Sequence, residues 1–165
     1  MDLTLEVLTT FLAEVCAIVN GRPIVPVSSD PESPLILSPA MLLTQKSGCY
    51  PAPVGTFETK DLYKAQWRRV QYLADTFWQR WNKEYLHTLQ TRRKWKDSVP
   101  NLKQGDVVLL TDKTVHRNEW PTGVVVNSLP SQDGRVRKAE VRVVKNGSTS
   151  TYTRPISEMV LLISE

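Results

Sequence analysis

The chain of 165 residues is poor in the side chains that hold metals or stabilise small folds covalently, with two cysteines and two histidines. Cys16 falls in a helical pattern and Cys49 in a loop. Such a pair makes no disulfide framework, so a reducing compartment is expected. Neither these cysteines nor His87 and His116 stand at zinc-ligand spacing. The seven glycines are scattered and build no phosphate-cradling loop, and no nucleophile elbow or paired-cysteine motif occurs. Two-metal phosphoryl transfer needs converging carboxylates, and Asp2, Glu6, Glu14, Asp30 and Glu32 offer no such set. No catalytic residue, metal or cofactor is therefore expected. No stretch approaches the ~18 apolar residues of a membrane span. Met1-Asp2-Leu3-Thr4 also lacks the basic start of a signal peptide, so the expected location is nuclear or cytoplasmic, neither membrane-bound nor secreted.

What the chain does have is aromatic bulk and a local excess of positive charge. Phe77-Trp78-Gln79-Arg80-Trp81-Asn82-Lys83-Glu84-Tyr85-Leu86 is the densest run of large side chains, and no Pro or Gly interrupts 59–98. A long helix, or two with a slight break, is therefore sterically permitted. At 100° per residue, Trp67, Val70, Ala74, Phe77, Trp78, Trp81, Tyr85 and Leu89 share one side, as a core-facing stripe does. Arg68, Arg69, Arg80, Lys83 and Lys94 fall opposite. Residues 60–96 hold ten Lys or Arg against three acids, a net of +7, whereas 1–59 carry −4 and 97–165 carry +1. With a sequence pI of about 9.1, that local basicity points to a polyanionic partner.

Before this run, Leu5, Leu8, Leu12, Val15 and Val19 mark the apolar face of a helix over 2–19, with Glu6 and Glu14 elsewhere. Asn20-Gly21 with Pro23 beyond is its stop. A lone amphipathic helix cannot bury its own face and needs a partner. Residues 22–27 read as extended and 30–34 as a loop, and Ser38-Pro39 reads as the cap and first position of a second helix. Residues 46–59 read as a linker. After the long helix come five short strands, near 107–110, 124–126, 136–144, 150–153 and 159–163. Asp133-Gly134 and Asn146-Gly147 read as two-residue turns between them. The unbroken apolar run Val107-Val108-Leu109-Leu110 suggests a strand buried on both faces. The pattern predicts an α+β chain ending in a small five-stranded barrel or curled sheet.

Three blocks together resemble one family. Residues 12–24, Ser29-Asp30-Pro31 and Leu37-Ser38-Pro39 are similar to the closing segment of a retroviral-type integrase catalytic core. Phe77-Trp78, Arg80-Trp81, Glu84-Tyr85-Leu86, Arg93 and Trp95 resemble the helix that follows this core in Bel/Pao-type retrotransposon polyproteins. Gly105-Asp106-Val107-Val108, Trp120-Pro121, Gly123, Asp133-Gly134, Val136-Arg137 and Arg154-Pro155-Ile156 resemble the small β-domain of uncharacterised function that ends them. Gly21 departs from the family's small hydroxyl residue, and Glu158-Met159 from a basic one. The resemblance implies a helical remnant of an integrase (RNase H-like) core over 1–45, a linker over 46–59, a long basic helix over 60–98 and an SH3-like five-stranded β-barrel over 99–165. It also implies that the family's three metal-binding acids and its zinc module lie upstream of the first helix.

The function this implies is noncatalytic: holding DNA, or RNA, without sequence preference during DNA integration. Lys and Arg supply phosphate contacts that release counterions. The candidates are Arg68, Arg69, Arg80, Lys83, Arg92, Arg93, Lys94 and Lys96 on the long helix, with Lys113, Arg117, Arg135, Arg137 and Lys138 in the β-domain. Trp95 is a candidate for stacking on a base or packing on the barrel. Further partners implied are an upstream integrase core and a homo-oligomer. Two other readings stand beside it: a protein–protein interaction or oligomerisation module of the SH3 or chromatin-reader kind, with an aromatic pocket at Trp120 and Tyr152, and a fragment of a decayed element without its own role. In the last case 1–55 would pack loosely and 60–165 would be the stable unit.

Overall fold

Thr4 opens helix α1 (Leu5–Asn20), its hydroxyl accepting the Val7 N–H at 3.4 Å. The helix stops at Asn20-Gly21 as expected, where the Arg22 guanidinium donates to the Val19 carbonyl at 2.8 Å. Its inward face is not the expected one. Val7 and Ile18 are buried, while Leu5 is 79% and Leu12 51% exposed, and Leu8 is exposed as well. The physical reason is that α1 is apolar around more than half its circumference, so spacing alone selects no face. Glu14 decides, because it lies on the side of Val7 and Ile18 and reaches the Gln71 amide at 3.3 Å.

The computed structural model describes residues 3–26, 36–46, 52–89, 101–112, 115–145 and 148–164. They form two units of interleaved segments: 1–22, 38–85 and 116–119, and then 23–37, 86–115 and 120–165. Residues 52–59 of the expected linker fall in the first unit, and 47–51 lie outside the described residues. In that unit α2 (Pro39–Thr44) is capped as expected by Ser38, whose hydroxyl accepts the Met41 N–H at 3.3 Å, with Pro39 at its start. A 3-10 turn (Thr59–Tyr63) precedes α3 (Gln66–Leu89), so the long helix has its break at 64–65. Val70, Ala74 and Trp78 are buried, as the stripe requires. Phe77, Trp81 and Tyr85 form a half-buried ladder, ring centroids 6.3 and 5.6 Å apart and nearly parallel. Trp67 departs from the stripe: it is 51% exposed and rests edge-on against Phe57.

The second unit holds a short ribbon, β1 (Val25–Pro26) with β2 (Ile36–Leu37), and an antiparallel sheet. Its strands are β3 (Val107–Leu110), β4 (Thr122–Pro130), β5 (Val136–Lys145), β6 (Ser148–Pro155) and β7 (Met159–Ile163), in the order β6-β5-β4-β3-β7. All five expected strands are present. The barrel is not. β6 and β7 pair on one side only, so the sheet stays open where closure would need them to pair with each other. Strand β3 is buried on both faces, as its unbroken apolar run required. Val108 belongs to a cluster with Val125, Ala139, Val141 and Met159, and Leu109 to another with Leu86 and Val160. Gly123 on β4 is needed there, since a Cβ would meet the Val141 side chain and lie 2.7 Å from the Arg142 carbonyl oxygen.

The connection between β4 and β5 is longer than the expected two residues. Ser131 N–H bonds the Arg135 carbonyl at 2.8 Å and Gly134 N–H the Ser131 carbonyl at 2.9 Å, with Gly134 at φ 75°. This is a three-residue loop with glycine in the left-handed position, which the Asp-Gly pair serves as well as it serves a tighter turn. Asn146 and Gly147 lie outside the described residues, between the paired Lys145 and Ser148.

Candidate nucleic-acid interface

The structure sorts the expected cations by what already surrounds them. Arg92, Arg93, Lys94 and Lys96, Trp95, and Lys113 in the first long loop of the β-domain, lie outside the described residues. On α3, Arg68 is half-exposed and its guanidinium stands 3.3 Å from Asp61, which is 1% exposed and also bonds Lys64 at 3.3 Å. Asp61 further accepts the Glu58 N–H at 2.8 Å, ordering the start of the 3-10 turn. That backbone hydrogen bond, followed by those from Lys64 and Arg68, holds the Asp61 carboxyl below its usual range. Arg68 thus has a structural task. Arg69 is half-buried. Arg80 is exposed and pairs one helical turn ahead with Glu84 at 3.0 Å, a solvated pair of the kind worth ~0.5 kcal/mol or less. Lys83 is exposed and makes no ion pair among the described residues.

Arg117 corrects the expectation outright. Its side chain is 2% exposed, and it lies between Asp75 at 3.0 Å and Glu14 at 3.3 Å. It also donates to the Gln71 side-chain oxygen and, at 3.3 Å, to the Gln71 backbone carbonyl. Three residues on two helices enclose one guanidinium, whose fixed fork of donors suits several acceptors at once. A cation so enclosed cannot meet a phosphate. Burial still pushes the Asp75 carboxyl above its usual value, outweighing the attraction of Arg117, and repulsion from Glu14 adds to the rise.

The remaining cations gather at the β4–β5 loop. Arg135, Arg137 and Lys138 are all exposed. Asp133 orders this end: it accepts the Arg135 N–H at 3.2 Å and the Arg137 guanidinium at 2.7 Å. The charges of Arg135 and Lys138 have no ion pair among the described residues. Two residues that the sequence reading passed over belong here. Asn101 donates to the Gly134 carbonyl at 3.0 Å and accepts the Val136 N–H at 3.1 Å, clamping the loop from both sides. No local signal marks it, because its partners lie more than thirty positions away. Lys103, exposed two residues further on, is the other. Arg80 and Lys83 belong to the first unit and the loop cations to the second.

The aromatic pocket expected from Trp120 and Tyr152 does not form. Trp120 packs against the Leu109 cluster, whereas Tyr152 stands opposite Val141 of the other cluster, across the sheet. Among the described residues no group of three His, Cys, Asp or Glu is placed to hold a metal, and no helix is long and apolar enough to cross a membrane. No curated protein and no solved structure matches the chain. Residues 65–162 match a family described as a family of unknown function (DUF5641). The match starts one residue before α3 and runs through the sheet to the penultimate residue of β7, more than half of the chain. The chain therefore belongs to this family of unknown function, DUF5641.

Proposed function

We propose that the chain is the noncatalytic C-terminal region of a Bel/Pao-type retrotransposon integrase, which holds DNA through phosphate contacts while an upstream core performs the chemistry of integration. The observation that carries this reading is the loop Ser131–Arg135 with its flank, where Arg135, Arg137 and Lys138 stand exposed within four residues on a backbone clamped by Asn101 and Asp133. Preorganised cations lose little freedom on meeting a phosphate backbone, and such contacts carry no base specificity. The exposed Lys83 and Arg80 on α3, with Arg92, Arg93, Lys94 and Lys96 following them in sequence, extend the same character. The exposed leucines of α1 fit this reading too, because an integrase core is a partner that would cover them. The protein then acts inside the cell, in nucleus or cytoplasm.

The test is binding of the full chain to a labelled DNA duplex across a salt series. The affinity is expected to fall steeply between about 50 and 200 mM salt, linearly on logarithmic axes. Replacing Arg135 and Lys138 together by Ala should reduce the magnitude of that slope by about 2, at roughly 0.9 per phosphate contact. Replacing Arg92, Arg93, Lys94 and Lys96 together by Ala should reduce it by more. Unchanged retention on DNA in both variants would remove this reading.

A further inference from the structure

The two edges of the five-stranded sheet are treated differently. Strand β7 has the β1 ribbon beside it. Strand β6 has β5 on one side and, among the described residues, no strand on the other. An uncovered edge presents a row of unpaired N–H and C=O groups, and proteins guard such edges with charge, proline, bulges or brevity. Strand β6 uses none of these over Ser148-Thr149-Ser150-Thr151-Tyr152-Thr153. The segment is uncharged, its one proline is the terminal Pro155, and its register with β5 runs unbroken from Lys145↔Ser148 to Lys138↔Pro155. All six residues are exposed, so neither face of the strand is walled.

We propose that β6 is a pairing edge for β6 of a second copy of this chain, joining two sheets into one across a two-fold axis. The absence of walls argues for a copy over a foreign peptide. Main-chain bonds give such an edge its affinity, and pockets for alternate side chains give it selectivity for an unrelated strand. Here all six side chains are exposed on an open strand, and complementarity comes from the strand itself. In an antiparallel ladder two facing residues either both turn their N–H and C=O to each other or both turn them away. A two-fold axis therefore pairs odd residues with odd and even with even. Centred on Thr151, it sets Thr149 against Thr153 of the second copy, and Thr151 against itself, on one face. On the other it sets Ser150 against Tyr152. No charge meets its like within the six residues. Arg154 just beyond is neutralised by Glu158 at 3.4 Å. The seven residues from Ser148 to Arg154 that pair in this register bury less than the ~1,000 Å² typical of a stable interface, so the dimer is expected to be weak and concentration-dependent.

The experiment is sedimentation of the full chain from about 10 to 500 µM, with Thr151→Lys and Thr151→Glu alone and mixed in equal amounts. The wild type should move from monomer to dimer across that range. Each variant places its new charge opposite itself on the axis and should raise the dissociation constant at least about tenfold. The mixture should restore dimerisation, a result that two unfolded chains cannot produce, and circular dichroism checks the fold of each. A wild type that stays monomeric throughout overturns the proposal. So does a dimer that both variants leave unchanged, or a mixture that stays monomeric.

Discussion

The two units handle charge in different ways. The first draws charge inward: Arg117 is enclosed by Glu14, Gln71 and Asp75, and Asp61 is buried under Lys64, Arg68 and the Glu58 N–H. The core of the second unit's sheet is hydrocarbon on both sides of β3, its buried Asp106 is held by the Lys103 N–H and the Ser164 hydroxyl, and Arg135, Arg137 and Lys138 stand exposed at the end of a loop. The difference shows why a count of basic residues does not measure surface charge. Of the three acids within 60–96, Asp75 faces a cation from outside that stretch, Arg117, and Asp61 faces two from inside it. Local net charge survives this exchange, but the arginines engaged in it do not remain available to a ligand.

The strongest way to break the contrast is to remove the enclosed guanidinium. Arg117→Met leaves Glu14 and Asp75 facing each other with no cation between them. Removing one partner of a buried ion pair costs about 3–5 kcal/mol. The carboxylates here are a quarter to a third exposed, so the lower end is expected. Adding Glu14→Gln and Asp75→Asn should recover most of the loss, because it is the uncompensated charge that destabilises. Chemical denaturation measures both effects. DNA retention should change far less than in the loop variants, and a large specific loss from Arg117→Met in the folded protein would return this residue to the interface.

The matching change in the second unit is Leu109→Ala, which opens a cavity between Leu86 and Val160. A fully buried leucine truncated in this way costs about 2–5 kcal/mol, depending on how far the walls relax. No charge rearrangement accompanies it, so the loss should not vary with pH. A loss that varied strongly with pH would contradict the hydrocarbon character assigned to this core.

What could be read from the sequence follows the range of the interaction involved. The Ser38 cap, the Asn20 stop and the five strands depend on neighbours within a few positions, and they stand where local patterning put them. The double burial of β3 was legible because four consecutive apolar residues leave neither face of a strand polar. Sheet closure, the inward face of α1 and the clamp at Asn101 depend on partners dozens of positions away. Arg117 illustrates the limit: an arginine in a polar loop carries the same local signature whether it points to water or into three acceptors. For the site, the loop cations were legible by charge and by the Asp-Gly signal. What holds them in place was not.

The smallest effect is the most discriminating, because it distinguishes the buried Asp61 from the partly buried Asp75 by sign. Asp61 is held below its usual range, chiefly by the Glu58 N–H and then by Lys64 and Arg68. Its contribution to stability is therefore full above the ordinary carboxylate value and is lost as pH falls through its lowered one. Asp75 is pushed the other way, by burial and by Glu14, against the pull of Arg117 and His116. Its contribution is full below the ordinary value and is lost as pH rises through the raised one. Melting temperatures of the wild type, Asp61→Asn and Asp75→Asn between about pH 3 and 7 test this, since that window spans the ordinary carboxylate value on both sides. Relative to the wild type, Asp61→Asn should lose its disadvantage as the pH falls, because the ionised carboxylate it lacks no longer helps the parent. Asp75→Asn should fare better against the wild type as the pH rises above the ordinary carboxylate value, since the parent must then hold a partly buried anion beside Glu14. Two profiles of the same sign would mean that Arg117 overcomes the burial of Asp75, and the cluster would then be a net source of stability at neutral pH.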